Sequence, residues 1–236
     1  MVRWGVVVAT LLPLVIFPAG CRQGDAPPSA PSGIPIAWHF SVGDAFTYSA
    51  WMLDPYGYLI PSSQSRDMVH VTATGVPVFG MNDVVILTDS AYDDSLAQWS
   101  VDTLYLHCAQ NGDVYRFGFV ADAAHRLEGR VIPPTWDRIA AFSLGFNSPW
   151  TVGTDDSAGG AQFTGVIGQQ QDFFAVDVNG VQTIVASYHI EITADGFDRG
   201  LWIANAPSAF TRILDVPMGT GDGILRELDA IGSAAR

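Results

Sequence analysis

Met68-Val69-His70-Val71-Thr72-Ala73-Thr74 alternates without a break. On an extended chain Val69, Val71 and Ala73 face one way and His70, Thr72 and Thr74 the other, as in a strand with one buried and one wet face. Upstream, Phe46-Thr47-Tyr48-Ser49-Ala50-Trp51 repeats the pattern, with Phe46, Tyr48 and Ala50 together. Downstream, Asp83-Val84-Val85-Ile86-Leu87-Thr88 suits a buried strand. Asn111-Gly112-Asp113, set between two apolar runs, predicts a hairpin. Further strands are expected near 161–168, 171–178, 181–193, 200–204 and 208–215. A helical period is nearly absent, and only Ile224-Leu225-Arg226-Glu227-Leu228-Asp229-Ala230 predicts a helix, short and C-terminal. The fold class is therefore all-β: a curved antiparallel sheet, a half-barrel or open barrel.

The second half repeats features of the first in the same order. Phe40-Ser41-Val42-Gly43 has a counterpart in Phe142-Ser143-Leu144-Gly145, and Gly80 and Gly180 each sit in a strand–turn–strand unit. Leu104-Tyr105-Leu106 followed by Arg116 matches Leu201-Trp202-Ile203 followed by Arg212. Two similar β-meander units are expected, about 38–120 and 140–216, inside one domain over 36–236. The alternative is two unrelated meanders with similar turn chemistry.

Val42-Gly43-Asp44-Ala45-Phe46-Thr47-Tyr48 resembles the Val-Gly-x-x-Phe/Trp-x-Tyr opening strand of a group of uncharacterised secreted bacterial lipoproteins, which often carry two copies of a β-hairpin unit. The resemblance covers most of 38–215. It implies a curved antiparallel sheet, similar at the level of fold to the half-barrels of outer-membrane lipoprotein carriers, and it carries no catalytic residues.

The N-terminus reads as an export signal. Arg3 is followed by the uncharged run Val6–Phe17, shorter than the roughly 20 apolar residues a spanning helix needs. Pro18-Ala19-Gly20-Cys21 resembles the lipobox of bacterial lipoproteins, with Pro18 where those proteins usually carry Leu. Residues 1–20 are thus expected to be removed and Cys21 to carry the lipid. The alternative is ordinary cleavage with Cys21 unmodified. Pro and Ser dominate from Arg22 to Gly33, so 21–35 is a tether rather than part of a core. These features place the chain outside the cytoplasm, held at the outer side of the cytoplasmic membrane, in the periplasm or at the outer membrane.

Acids outnumber bases 24 to 11, for a net charge of −13; every base is Arg, and 21 of the acids are Asp. Asp favours turns where Glu favours helices, which fits a loop-rich β protein. Such a field opposes nucleic acids and anionic headgroups, so no nucleic-acid partner is expected. With Cys21 acylated, Cys108 has no disulfide partner, and its apolar surroundings predict a buried, inert thiol.

No nucleophile elbow, zincin motif or zinc-spaced Cys pair is present. In Ser187-Tyr188-His189-Ile190-Glu191-Ile192, His189 and Glu191 share a strand face, as an acid–base couple or half a metal site would, although the wet face of a strand is the simpler account. Asp93-Asp94, Asp155-Asp156 and Asp195-Gly196-Phe197-Asp198 offer oxygens, yet none completes a calcium loop. Met218-Gly219-Thr220-Gly221-Asp222-Gly223 lacks the Lys of a phosphate loop. No metal and no cofactor are expected. Trp99 and Trp136 fall in segments that read as loops and are expected, with His189 and Glu191, as ligand contacts; Trp51 and Trp202 lie on apolar strands and read as core. The sequence thus predicts a membrane-tethered, non-enzymatic envelope lipoprotein binding a lipidic or other apolar ligand. A secreted carbohydrate- or envelope-protein-binding module and a hydrolase using His189 and Glu191 are the alternatives.

Overall fold

Alternating apolar and polar side chains, punctuated by Gly, Asn and Asp, lay down twelve strands among the described residues. In the computed structural model these residues are 38–93, 98–128, 131–154, 161–217 and 223–233. The first six strands are β1 (Asp44–Leu53), β2 (Ser65–Val78), β3 (Met81–Asp93), β4 (Gln98–Cys108), β5 (Val114–Phe117) and β6 (Trp136–Ala140). Helix α1 (Phe119–Glu128) lies between the last two. The remaining strands are β7 (Trp150–Thr154), β8 (Gln162–Val178), β9 (Val181–Ala194), β10 (Phe197–Ala204), β11 (Ala209–Pro217) and β12 (Gly223–Ser233). They form one sheet in the order β6-β5-β4-β3-β2-β1-β12-β11-β10-β9-β8-β7. Two successive six-stranded meanders are therefore joined edge to edge through β1 and β12.

The hairpin tips explain the tight returns. Phe79 and Gly80 between β2 and β3 have φ of 48° and 78°, and Asn179 and Gly180 between β8 and β9 have 53° and 85°. Positive φ at both central residues matches the right-handed twist of the flanking strands. β8 is one long strand where two were expected, with a register irregularity between Ile167 and Gln171 that bends it without ending it.

The sheet curls on itself. The tip of the β8–β9 hairpin folds onto the end of β12, where Ala230 and Ile231 pair in parallel with Asp177 and Val178. At the two free edges, the Trp150 indole N–H on β7 donates to the Arg138 carbonyl on β6 at 2.7 Å. Trp150 lies against Gly165, where any Cβ would come within 2.3 Å of the ring.

Two expectations about helices are corrected. Residues 224–230 are not a helix but most of β12, which pairs with β1 from Gly223 to Ser233 and with β11 opposite Arg212 to Asp215. Helix propensities differ by only tenths of a kcal/mol per residue, and a segment this short cannot outweigh ladders on both sides plus burial of Leu228 and Ile231. The helix instead occurs at α1. Gly118, at φ 76°, turns the chain out of β5, and the Asp137 carboxylate on β6 accepts the Val120 N–H at 2.8 Å as a cap supplied from another strand. Burial pushes the Asp137 carboxyl up, against the pull of its hydrogen bonds to Val120 and Thr135.

Candidate functional site

The interior of the curled sheet is not uniformly filled. A chamber of about 520 Å³ is walled by the inward faces of β1–β5 and β10–β12 with α1 and β6. Strands β7–β9 contribute nothing to it. Phe46, Leu87, Leu104, Leu106, Leu201 and Ile213 supply much of the apolar wall. The exposed wall residues Asp102, Thr103, Asp122, His125 and Pro134 mark where it meets solvent.

Charges sit among these apolar residues because they occupy inward positions of the same alternation. Asp67 continues the face of Val69 and Val71, and Asp89 continues that of Val85 and Leu87. Arg226 on β12 stands opposite Ala50 of β1, whose short side chain leaves room for the guanidinium to reach across the strand. Its Nε lies 2.9 Å from Asp67 and its Nη1 donates to Asp89 at 2.6 Å. Two nearly buried carboxylates thus share one guanidinium. Burial raises the Asp67 carboxyl above its ordinary range, Arg226 pulls it down and Asp89 pushes it up. Tyr48, beside this group, is shifted upward by burial, and its hydroxyl donates to the Phe210 carbonyl at 3.0 Å. Farther along the wall, Arg199 and Asp215 form a buried pair directly opposite one another on β10 and β11. The Arg199 guanidinium stands 4.8 Å from the Phe119 ring centroid, a cation–π contact. Arg116 and Asp122 pair nearer the mouth.

The expected ligand contacts lie elsewhere or beside this chamber. His189 and Glu191 do share a strand face, the one turned away from the chamber, and Asp172 and Asp198 lie near them. The His189 ring stacks on Trp202, its cross-strand partner, with centroids 4.2 Å apart and planes 13° off parallel. The Trp202 N–H donates to Asp172 at 2.6 Å, and the Arg212 guanidinium sits 5.3 Å from the indole on the way to its partner Glu227. Burial lowers the His189 pKa, with Glu191 opposing it. Burial raises the Asp198 carboxyl, and Glu191 adds to that rise. Among the described residues no group of three or more His, Cys, Asp or Glu is placed to hold a metal ion.

Trp136 is in strand β6, not a loop. Pairing with β5, where Trp136 opposes Phe117, outweighs the loop-like Pro133-Pro134 that precedes it. Its indole N–H donates to the Phe79 carbonyl at 3.1 Å, and its ring meets Phe117 at 5.4 Å. Phe117 in turn stacks on Phe79 at 4.1 Å, and Tyr105 meets Phe79 edge-on at 5.1 Å. Tyr105 and Phe117 alternate along β4 and β5 with the inward Leu104, Leu106 and Arg116, so this aromatic cluster, Trp136 included, lies on the outer face of the sheet. Trp99 is likewise in a strand, β4, opposite Tyr92; its side chain lies outside the described residues. So do Cys21, the expected leader and tether, Asp94, Asp155 and Asp156. Trp202 is buried as expected, whereas Trp51 is only half-buried. Cys108 is half-buried and its thiol is pushed up to about 12 by burial, as befits an inert side chain.

The sequence reading missed Asp67, Asp89, Arg199, Asp215 and Arg226. The available signal was the parity of the alternation, which places Asp67 and Asp89 in register with buried valines and leucines.

No protein-family model and no curated protein matches this sequence. Among solved structures, a candidate lipoprotein from Parabacteroides distasonis aligns over 83% of this chain and 97% of its own, at 9% identity and a TM-score of 0.40. A likeness at that level carries no argument about fold or function.

Proposed function

We propose that this chain is an exported, lipid-anchored protein of the cell envelope whose curled sheet binds a small amphipathic molecule without chemically transforming it. The single observation behind the reading is the chamber. Its volume of about 520 Å³ falls within the range of ligand pockets, roughly 300–1,000 Å³, and its wall combines apolar and aromatic side chains with a few fixed polar groups. Acylation at Cys21 followed by a Pro/Ser tether would hold such a domain in water beside a membrane. The recurring strand order of the two meanders fits an internal duplication. A hydrolytic role for His189 is less favoured, because its ring lies flat on Trp202 on the face away from the chamber.

Mass spectrometry of the protein extracted natively from a bacterial envelope tests this reading. A diacylglyceryl Cys21 with a stoichiometric apolar molecule retained in the folded protein is the expected result. An unmodified N-terminus and no retained molecule, even after incubation with envelope lipid extract, would overturn it.

A further inference from the structure

The chamber's charges are arranged asymmetrically, and this deepens the binding role proposed above, on which the inference rests. Three arginines reach the wall, and each is engaged by a carboxylate: Arg116 by Asp122, Arg199 by Asp215, and Arg226 by both Asp67 and Asp89. An anionic head would have to displace a carboxylate to reach any of them. The acids are less completely satisfied. Asp89 is 8% exposed; one of its oxygens accepts from Arg226, while its Oδ1 is buried without a hydrogen-bond partner. A buried carboxylate oxygen in that state retains a full desolvation cost that a donor would relieve. Asp89 also lies directly opposite Asp102 across the β3–β4 ladder. Like charges directly opposite on one face destabilise a sheet. Both residues are in the chamber wall, Asp89 deep and Asp102 at the exposed rim. A positive group between them would offset the repulsion. Leu87 and Leu104, also opposite each other, continue the same wall inward with Phe46 and Leu106.

We propose that the chamber takes a cationic amphiphile, whose protonated amine sits between Asp89 and Asp102 and whose apolar body lies along Phe46, Leu87, Leu104 and Leu106. The amine pairs with the Asp89 carboxylate and faces Asp102 at the mouth. The carboxylates select charge, and the aliphatic and aromatic wall supplies most of the affinity without selecting a head.

The test compares three probes of equal chain length, decylammonium, decan-1-ol and decanoate, each titrated below its micelle concentration into the full chain by calorimetry. Decylammonium is expected to bind about tenfold or more tighter than decanoate, as a charge-assisted hydrogen bond implies. Asp89→Asn, which keeps an acceptor for Arg226, is expected to reduce decylammonium affinity about tenfold and to leave decan-1-ol within about twofold. Asp102→Asn, at an exposed position, serves the same purpose if the first variant folds poorly, with a loss of about threefold expected at that more solvated site. Decanoate binding as tightly as decylammonium would overturn the proposal, as would equal loss of all three probes in both variants. If all three probes bind alike and Leu104→Trp abolishes them, the chamber remains a binding site and the amine selectivity fails. If none binds, the binding function itself fails and takes the selectivity with it.

Discussion

The two meanders share a strand order and the same two-residue hairpin geometry, yet one end of the molecule is hollow and the other is filled. Around β7–β9 the interior holds Phe142, Phe163, Ile167, Ile190 and Ile192, all essentially inaccessible, with Tyr188 packed edge-on to Phe142. Around β1–β5 and β10–β12 several inward positions are instead Asp or Arg, and a chamber remains. Topology therefore sets where a cavity can be, and the identity of a few inward residues sets whether it is filled. A charge turned inward requires a partner at a fixed distance, so the wall around it cannot close down as an aliphatic core does.

The most severe test of this contrast is a pair of truncations. Phe142→Ala, in the filled end, is expected to cost about 3–5 kcal/mol of unfolding free energy in a urea titration, because the void left there is enclosed. Leu104→Ala, facing the chamber, is expected to cost only about 1 kcal/mol, since it enlarges space already present. Equal losses would mean that the chamber collapses in solution and the contrast is false. Arg226→Met comes next. Removing the shared guanidinium leaves Asp67 and Asp89 facing each other, and because the side chain is partly exposed to the chamber the loss is set at about 3 kcal/mol, the low end for a broken buried pair. Adding Asp67→Asn and Asp89→Asn should recover most of it, and failure to recover would show that Arg226 acts mainly through packing. Gly165→Val tests the closed seam at the filled end. The new side chain must displace the Trp150 ring, for about 1–3 kcal/mol, and the expected accompanying change is a shift of the tryptophan emission.

The smallest expected effect is on pH dependence, and its sign differs between the two regions. His189, on the outer face of the second meander, is held below its ordinary 6.5 by burial. The unfolded chain therefore takes up that proton first, and the stability due to the neutral ring is present above pH 6.5 and lost as pH falls through the lower folded value. Asp67 in the chamber end is held above its ordinary 3.8. Its ionised form is penalised in the fold, so its contribution improves as pH falls through that raised value. Melting temperatures across mildly acidic pH should show His189→Gln removing a loss on acidification and Asp67→Asn removing a gain. Slopes unchanged by both substitutions would contradict these environments.

Much of the sheet is readable from local alternation, because a strand writes its two faces at a spacing of two residues whatever lies opposite. The turns at Gly80, Gly112 and Gly180 are readable for the same reason, since positive φ is a local demand that glycine meets. The site is legible only in part. Asp67 and Asp89 look like strand-end or turn residues until their parity is followed inward. Arg226 is hidden inside a segment whose composition suits a helix, and His189 and Glu191 belong to the correct strand face but the wrong side of the sheet for the chamber.

Acidity and alternating strands are thus legible along the chain alone, since charge and period are properties of neighbouring residues. Tertiary structure alone decided that 224–230 is a strand, because its partners β1 and β11 flank it only once both meanders are folded. It also decided that the chamber is charged and open. The Arg226–Asp89 contact joins residues 137 apart in the chain, and no local spacing encodes which inward side chains meet across a closed sheet.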